Sequence, residues 1–209
     1  MADKVPDISV QYAIFAAVAR PKEFERDTAL DSAIAIFCDH GYAGTSTDVL
    51  LDKMGISRQS LYDTFGDKRR LYLEALQRYV EANVAGQIAA LQAPSSPLKG
   101  VEAVLLGMAS KAAIAGAPGC MGIGATCEVG QSDTEVSTLI GGSGKRLLSA
   151  LERRLAEAKA NGEIGKDVDP RAAAQFVKAA IIGMKVAARS TATVDTLRNI
   201  ARMALRSLS

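Results

Sequence analysis

The chain has 209 residues, 48% of them hydrophobic, and its 25 Lys and Arg against 23 Asp and Glu leave a formal net charge of +2. That balance excludes an indiscriminate nucleic-acid coat, and no apolar run approaches the length needed to cross a bilayer. Three cysteines in no framework spacing exclude a disulfide-stapled export scaffold and fit the cytoplasm.

Residues 1–23 form an N-terminal extension. Ile8 to Ala19 is mostly apolar. Asp3, Lys4 and Asp7 leave no positive region before it, and Gln11 and Tyr12 interrupt it, which argues against a secretory signal. The segment is either a disordered tail or a short added helix using Tyr12, Ile14, Phe15 and Val18.

A three-helix unit is expected over residues 24–68. Asp27 to His40 carries Ala29, Leu30, Ala33, Ile34 and Phe37 at helical spacing, closed by Gly41 and Tyr42. A second helix starts at one of three hydroxyls, Thr45, Ser46 or Thr47, with Asp48 placed three after Thr45 as a capping box wants. Val49, Leu50 and Met54 face inward together. Gly55 ends this helix, Ile56 plugs the angle, and Ser57 caps the next helix, Arg58 to Thr64. Leu61 and Phe65 form the buried side of that helix. Arg58, Gln59, Ser60 and Tyr62 point elsewhere. Two short helices with a tight turn and a polar second helix are the layout of a helix-turn-helix, whose second helix can enter a DNA major groove. Arg suits guanine edges, Gln suits adenine edges, and Ser and Tyr hydroxyls suit phosphates. The alternative is a helical hairpin with an ordinary polar surface.

Residues 69–209 read as a larger helical domain. A helix opening at Gly66 or Asp67 carries Leu71, Leu73, Leu76 and Val80, and Pro94 to Pro97 break the chain after it. Leu98 to Ala115 places Val101, Val104, Leu105 and Met108 on one side. A glycine-dense run, GAPGCMGIGATCEVG, follows. Ser132 or Asp133 restarts a helix, and Val136 to Ala160 is one long amphipathic helix whose first turns are softened by Gly141, Gly142 and Gly144. Asp169 with Pro170 starts another helix to about Ser190, and a last one spans Val194 to Leu208. Strand-like alternation is absent, so the fold class is all-α. Val177, Ala180, Ile181, Met184 and Ala188, thickened by Ala173 and Ala187, form one apolar stripe. Leu197, Ile200, Ala204 and Leu208 form another. Both are assigned to a dimer surface or to packing on their own domain.

The run from Phe24 to Leu76 resembles the DNA-binding domain of the TetR/AcrR family of transcriptional regulators. The marks are an AxxxFxxxGYxxTS lead-in at Ala33, Phe37, Gly41, Tyr42, Thr45 and Ser46, a turn at Gly55 to Ser57, LYxxF at Leu61, Tyr62 and Phe65, and Lys68 after it. The resemblance implies a dimer whose last two helices join in a four-helix bundle. It also implies a pseudo-palindromic operator and a C-terminal domain that binds an inducer and releases DNA. It implies DNA contacts from Thr47, Asp48, Arg58, Gln59, Ser60, Tyr62, Thr64 and Lys68, and a basic arm at Arg20, Pro21 and Lys22. The unit is not basic overall, so binding rests on a few placed contacts and two copies per operator.

Apolar helix faces in the second domain are expected to enclose a small, mostly apolar inducer. Its wall is assigned to Met108, Met121, Phe176, Ile181 and Met184, with Cys120, Cys127 and Glu128 as polar contacts. PGCMGIGATCEVG also resembles a motif in a branch of the family, P-x-GC(L/M)…E, matched at Pro118, Gly119, Cys120, Met121 and Glu128. Cys120 is either a reactive thiol at a helix start or a small buried hydrophobe. No cofactor or metal is expected: two cysteines seven apart and one distant histidine make no ligand set. GGSGK at Gly141 to Lys145 lacks the spacing and preceding strand of a phosphate loop, and no enzyme constellation emerges. The readings left open are a ligand-released repressor, an activator, a redox or electrophile sensor, and a helical protein that retains the domain by descent.

Overall fold

The computed structural model describes residues 24–112, 119–130, 132–190 and 192–209. The expected basic arm, the rest of the extension, and Pro118 of the cysteine motif lie outside the described residues. Among the described residues there are nine helices and no strand: α1 (Arg26–His40), α2 (Thr47–Met54), α3 (Arg58–Phe65), α4 (Lys68–Gln92), α5 (Pro97–Ala112), α6 (Met121–Val129), α7 (Thr134–Ala160), α8 (Pro170–Arg189) and α9 (Val194–Arg206).

Short polar caps set most of these boundaries. Ser46 accepts the Val49 N–H, Ser57 the Ser60 N–H, Asp67 the Arg70 N–H and Asp133 the Val136 N–H. Each bond satisfies an amide that a helix start leaves without an internal partner. Of the three candidate hydroxyls before α2, Ser46 is the cap. Thr45 is buried and its hydroxyl donates to the Gly41 carbonyl at 2.6 Å. The capping-box role expected of Asp48 does not form, because the third residue after Ser46 is Val49. Asp169 accepts from Arg171 and Ala172, with Pro170 opening α8. Gly55 sits at φ 65, ψ 34, the left-handed conformation that ends α2. The α7 glycines leave that helix unbroken from Thr134 to Ala160.

Two apolar clusters organise the packing. The first joins α1, α2, α3 and the early part of α4 through Leu30, Phe37, Leu50, Leu61, Phe65, Leu71 and Leu76. Met121 and Ala125 of α6 and Val136 of α7 also belong to it. The second joins the late part of α4 with α5, α7, α8 and α9 through Leu91, Leu105, Leu151, Leu155, Val177, Ile181 and Leu197. α4 therefore runs through both, and no linker separates them.

Three expectations about buried faces change. Val49 is exposed, because α2 turns only Leu50 and Met54 inward. Ile36 and Cys38 are buried in α1 while Ile34 is only partly covered, because α1 packs on α6 as well as on α2 and α4. In α8, α9 and the turn after α9, Ala173, Val177, Ile181, Met184, Leu197, Ala204 and Leu208 are buried within the chain's own second cluster. They are core, not dimer surface. The large apolar residues left exposed on these two helices are Phe176, Ile182, Val186 and Met203, at 46–61%.

Candidate nucleic-acid interface

α3 is anchored by Leu61 and Phe65, which are 0% and 5% exposed. The anchoring leaves the opposite side of the helix outward. Arg58, Gln59, Tyr62 and Asp63 are exposed there, and Ser60 and Thr64 are half-buried at its edges. Thr47 opens α2, half-buried, with Asp48 exposed beside it. The eight residues assigned to DNA contact thus lie on α2, α3 and the first residue of α4.

Five of these side chains, Asp48, Arg58, Gln59, Ser60 and Lys68, are already engaged. Arg58 donates to the Asp48 carboxylate, and Gln59 Nε2 donates to Asp63 Oδ1 at 2.8 Å. The Ser60 hydroxyl pairs with that of Ser57 at 2.8 Å. Lys68 places its ammonium 4.3 Å from the centre of the Tyr42 ring, a cation–π contact. Tyr42 packs on Tyr72, which meets Phe37 edge-on at 5.0 Å. Burial pushes the Tyr72 hydroxyl up to about 12, so it stays protonated. α3 is braced from α1 by Arg26, which lies 5.0 Å over the Phe65 ring and pairs with Glu74 of α4 at 2.7 Å. Arg78 of α4 adds pairs to Asp27 and Asp31. A rigid three-helix base therefore presents a polar strip with guanidinium, amide, hydroxyl and ammonium groups.

Comparison with known proteins agrees with this geometry. The family model described as bacterial regulatory proteins, tetR family, matches residues 29–75, and a tetracyclin repressor-like C-terminal domain matches residues 96–204. The HTH-type transcriptional regulator YezE of Bacillus subtilis is 34% identical over 87% of this chain and 95% of its own length. The transcriptional repressor ComR of Escherichia coli is 31% identical over 90% of each chain. A solved structure of the TetR-family regulator CifR, with cysteines substituted and 26-base-pair operator DNA bound, superposes with a TM-score of 0.81. It is 27% identical, covering 91% of this chain and all of that one.

The chain belongs to the TetR family. It is a DNA-binding regulator of transcription with a helix-turn-helix domain and a helical C-terminal domain. No helix among the described residues is long and apolar enough to cross a membrane.

In this TetR-family protein the residues assigned to the inducer wall do not share one surface. Ile181 and Met184 are buried in the second cluster, with Met108 packed partly against it. Met121 belongs to the first cluster, because α6 turns it toward α1 and α4. Phe176 is 47% exposed on the outer side of α8, so it lines no interior wall of this chain. Cys120, Cys127 and Glu128 instead border an open cleft of about 440 Å³ where the ends of α1 and α8 meet α6. Cys38 lies in the same cleft wall, buried, with its thiol pushed up to about 11 chiefly by burial.

Glu128 has a definite partner that the sequence did not disclose. Its carboxylate accepts the Tyr42 N–H at 2.9 Å and the Ala43 N–H at 3.1 Å, both just after α1. Arg189, the last residue of α8, was missed outright. Its guanidinium donates to the Cys38 and Asp39 carbonyls at 2.8 and 3.0 Å. Gln87 was also missed. It is 7% exposed on α4, its Nε2 donates to Asn83 Oδ1, and its Oε1 is buried without a hydrogen-bond partner. Its helical spacing, three after buried Val84 and four before buried Leu91, was the signal for it.

Proposed function

We propose that this protein is a ligand-responsive repressor that binds a pseudo-palindromic operator as a homodimer and is released by a small, mostly apolar inducer. The observation that carries the reading is the outward strip of Arg58, Gln59, Ser60 and Tyr62 over the fixed Leu61 and Phe65. Arg and Gln at the start of a recognition helix can read guanine and adenine edges, while Thr47, Tyr62, Thr64 and Lys68 serve phosphates. Asp48, a poor phosphate neighbour, acts through Arg58. Dimerisation is supported by Phe176, Ile182, Val186 and Met203, large apolar side chains left outside on the two C-terminal helices. Two-fold pairing there would set two α3 helices on adjacent major grooves.

The inducer half of the reading is supported by Gln87. An acceptor buried among apolar helices without a partner costs roughly 1–3 kcal/mol, which a ligand donor group can recover. An inducer that brought one N–H or O–H donor to this acceptor, beside the Asn83 and Lys185 pair, would gain by it. It must bind the released arrangement more tightly than the DNA-bound one. ComR carries the name of a repressor, in keeping with this direction of control. The test is selection of genomic fragments by the full-length protein at moderate salt. Recovery of a two-fold sequence near a promoter, with reduced transcription in its presence, supports the proposal. Recovery of no two-fold sequence ends it, and increased transcription would make the protein an activator.

A second reading is that oxidants or electrophiles control release through Cys120. Cys120 precedes the first residue of α6 and its thiol adjoins the Tyr79 hydroxyl. Met121 to Cys127 is continuous helix, so Cys120 and Cys127 lie roughly 10 Å apart along its axis, too far for a disulfide between them. Cys127 is therefore not its resolving partner, and Cys38 in the same cleft wall or a thiol from outside the chain would serve instead.

A further inference from the structure

We propose that Glu128 and Arg189 are positioning residues for DNA recognition, gripping the end of α1 so that the angle of the reading helices follows α6 and α8. The inference rests on the dimeric operator reading above. Glu128 lies in the last turn of α6, and its two carboxylate oxygens take the first two N–H groups after Gly41. Those amides sit in the turn that leads to α2, closed from within by the Thr45 hydroxyl on the Gly41 carbonyl. Gly41 has φ +69, and a Cβ there would come within 2.5 Å of Glu128 Oε1. The absence of a side chain at Gly41 is what lets the carboxylate reach the backbone.

Arg189 completes the grip with the opposite charge. Its guanidinium takes two carbonyls from the last turn of α1, where helix carbonyls lack internal partners and the dipole favours a cation. A Cβ on Gly119 would overlap this guanidinium, so Gly119 leaves the path open. One end of one helix is thus held by a carboxylate on its trailing amides and a guanidinium on its final carbonyls, 86 and about 150 residues away in sequence. Packing of α1 on α4 fixes where the helix lies. The polar grip adds a directional constraint, because charge-assisted hydrogen bonds to main-chain groups weaken steeply with angle. Arg189 ends the helix that carries Phe176, Ile182 and Val186, so a shift at the proposed dimer face reaches α1 through a single residue.

The test uses the full-length protein and its selected operator, with the spacer between half-sites varied by one and two base pairs. The wild type should prefer one spacer. Glu128→Ala and Arg189→Ala should lose roughly tenfold in affinity on that spacer and much less on the others, flattening the preference. Glu128→Gln should fall between, since its amide oxygen keeps one of the two N–H groups. Amide exchange at Tyr42 and Ala43, read without DNA, should accelerate in Glu128→Ala. A wild type that prefers no spacer overturns the dimeric reading, and the amide exchange still decides the grip. Glu128→Ala with a wild-type spacer profile overturns the grip alone. So does an equal loss on every spacer that tracks a fall in melting temperature, which would make the contacts merely structural.

Discussion

Arg58, the first residue of the recognition helix, is tethered to Asp48 of the preceding helix. Both side chains are mostly exposed, so the pair itself contributes only about 0–1 kcal/mol to stability. Its larger effect falls on DNA binding, because a cation held by a carboxylate is less available to phosphates at random. Asp48→Asn should leave stability within about 0.5 kcal/mol and tighten binding to non-operator duplex, steepening its salt slope by about one. Anisotropy titrations of operator and random duplex over a salt series measure this. An unchanged slope would remove Asp48 from the role.

Replacing the base-reading side chains should separate specificity from affinity. Arg58→Ala or Gln59→Ala should cost about 1–3 kcal/mol against the operator and far less against random duplex. Tyr62→Phe should weaken both alike. Lys68→Ala should also weaken both, with a small stability loss from its contact with Tyr42. Competition assays with single-base operator variants decide between the groups. If Arg58→Ala kept full discrimination at every operator position, α3 would have to read through other residues.

Acid should weaken two contacts, that of α4 with the start of α7 and that of the turn after α7 with the start of α5. The Asp133 carboxylate is held below its usual range, first by the Arg69 guanidinium and then by the Val136 N–H. Glu163 is lowered first by the Ser96 hydroxyl and then by the Leu98 N–H. A folded value below the unfolded one gives stability that is fully present above the unfolded value, about 4 for these groups, and lost as pH falls through the folded value. Asp133→Asn and Glu163→Gln together should therefore flatten the acid side of the stability profile. Urea unfolding between about pH 5 and 3 tests the sign. A double variant with the wild-type acid slope would show that other carboxylates set it.

The thiols should label in a fixed order. Cys127 is exposed, Cys120 is half-buried, and Cys38 is buried with its thiol pushed up to about 11. A maleimide reagent at neutral pH should reach Cys127 first, Cys120 next and Cys38 only on unfolding. If Cys120 is the switch, operator affinity should fall on oxidation and Cys120→Ser should abolish the fall. Indifference of DNA binding to peroxide would leave Cys120 with a packing role.

The helix-turn-helix was legible because its signals are local. Gly55, Ser57, Leu61 and Phe65 sit within eleven residues and each encodes its own turn, cap or anchor. The grip was not legible, because Glu128 and Arg189 bind main-chain atoms, and a backbone amide or carbonyl leaves no partner type in the sequence to search for. The α8 stripe was legible as buried but not as to what buries it. Periodicity finds Val177, Ile181 and Met184 but is silent on whether the cover is the same chain or another. The inducer wall was read from residue type alone, and Phe176 and Met121 show the cost, since an apolar side chain fits an outer face or a neighbouring cluster equally well.

α4 has 25 residues, a rod about 37 Å long. Its first half supplies Leu71, Tyr72, Ala75, Leu76 and Val80 to the cluster beneath the reading helices, and its second half supplies Val84 and Leu91 to the other cluster. A fragment cut after Lys68 would leave Leu61 and Phe65 uncovered, so the DNA reader is not a detachable module. Grafting it onto another dimeriser would require carrying α4 through at least Val80, together with a substitute for the Met121 and Ala125 face of α6. Exchange of DNA specificity between relatives should thus proceed by replacing surface positions on α3 rather than by swapping whole domains.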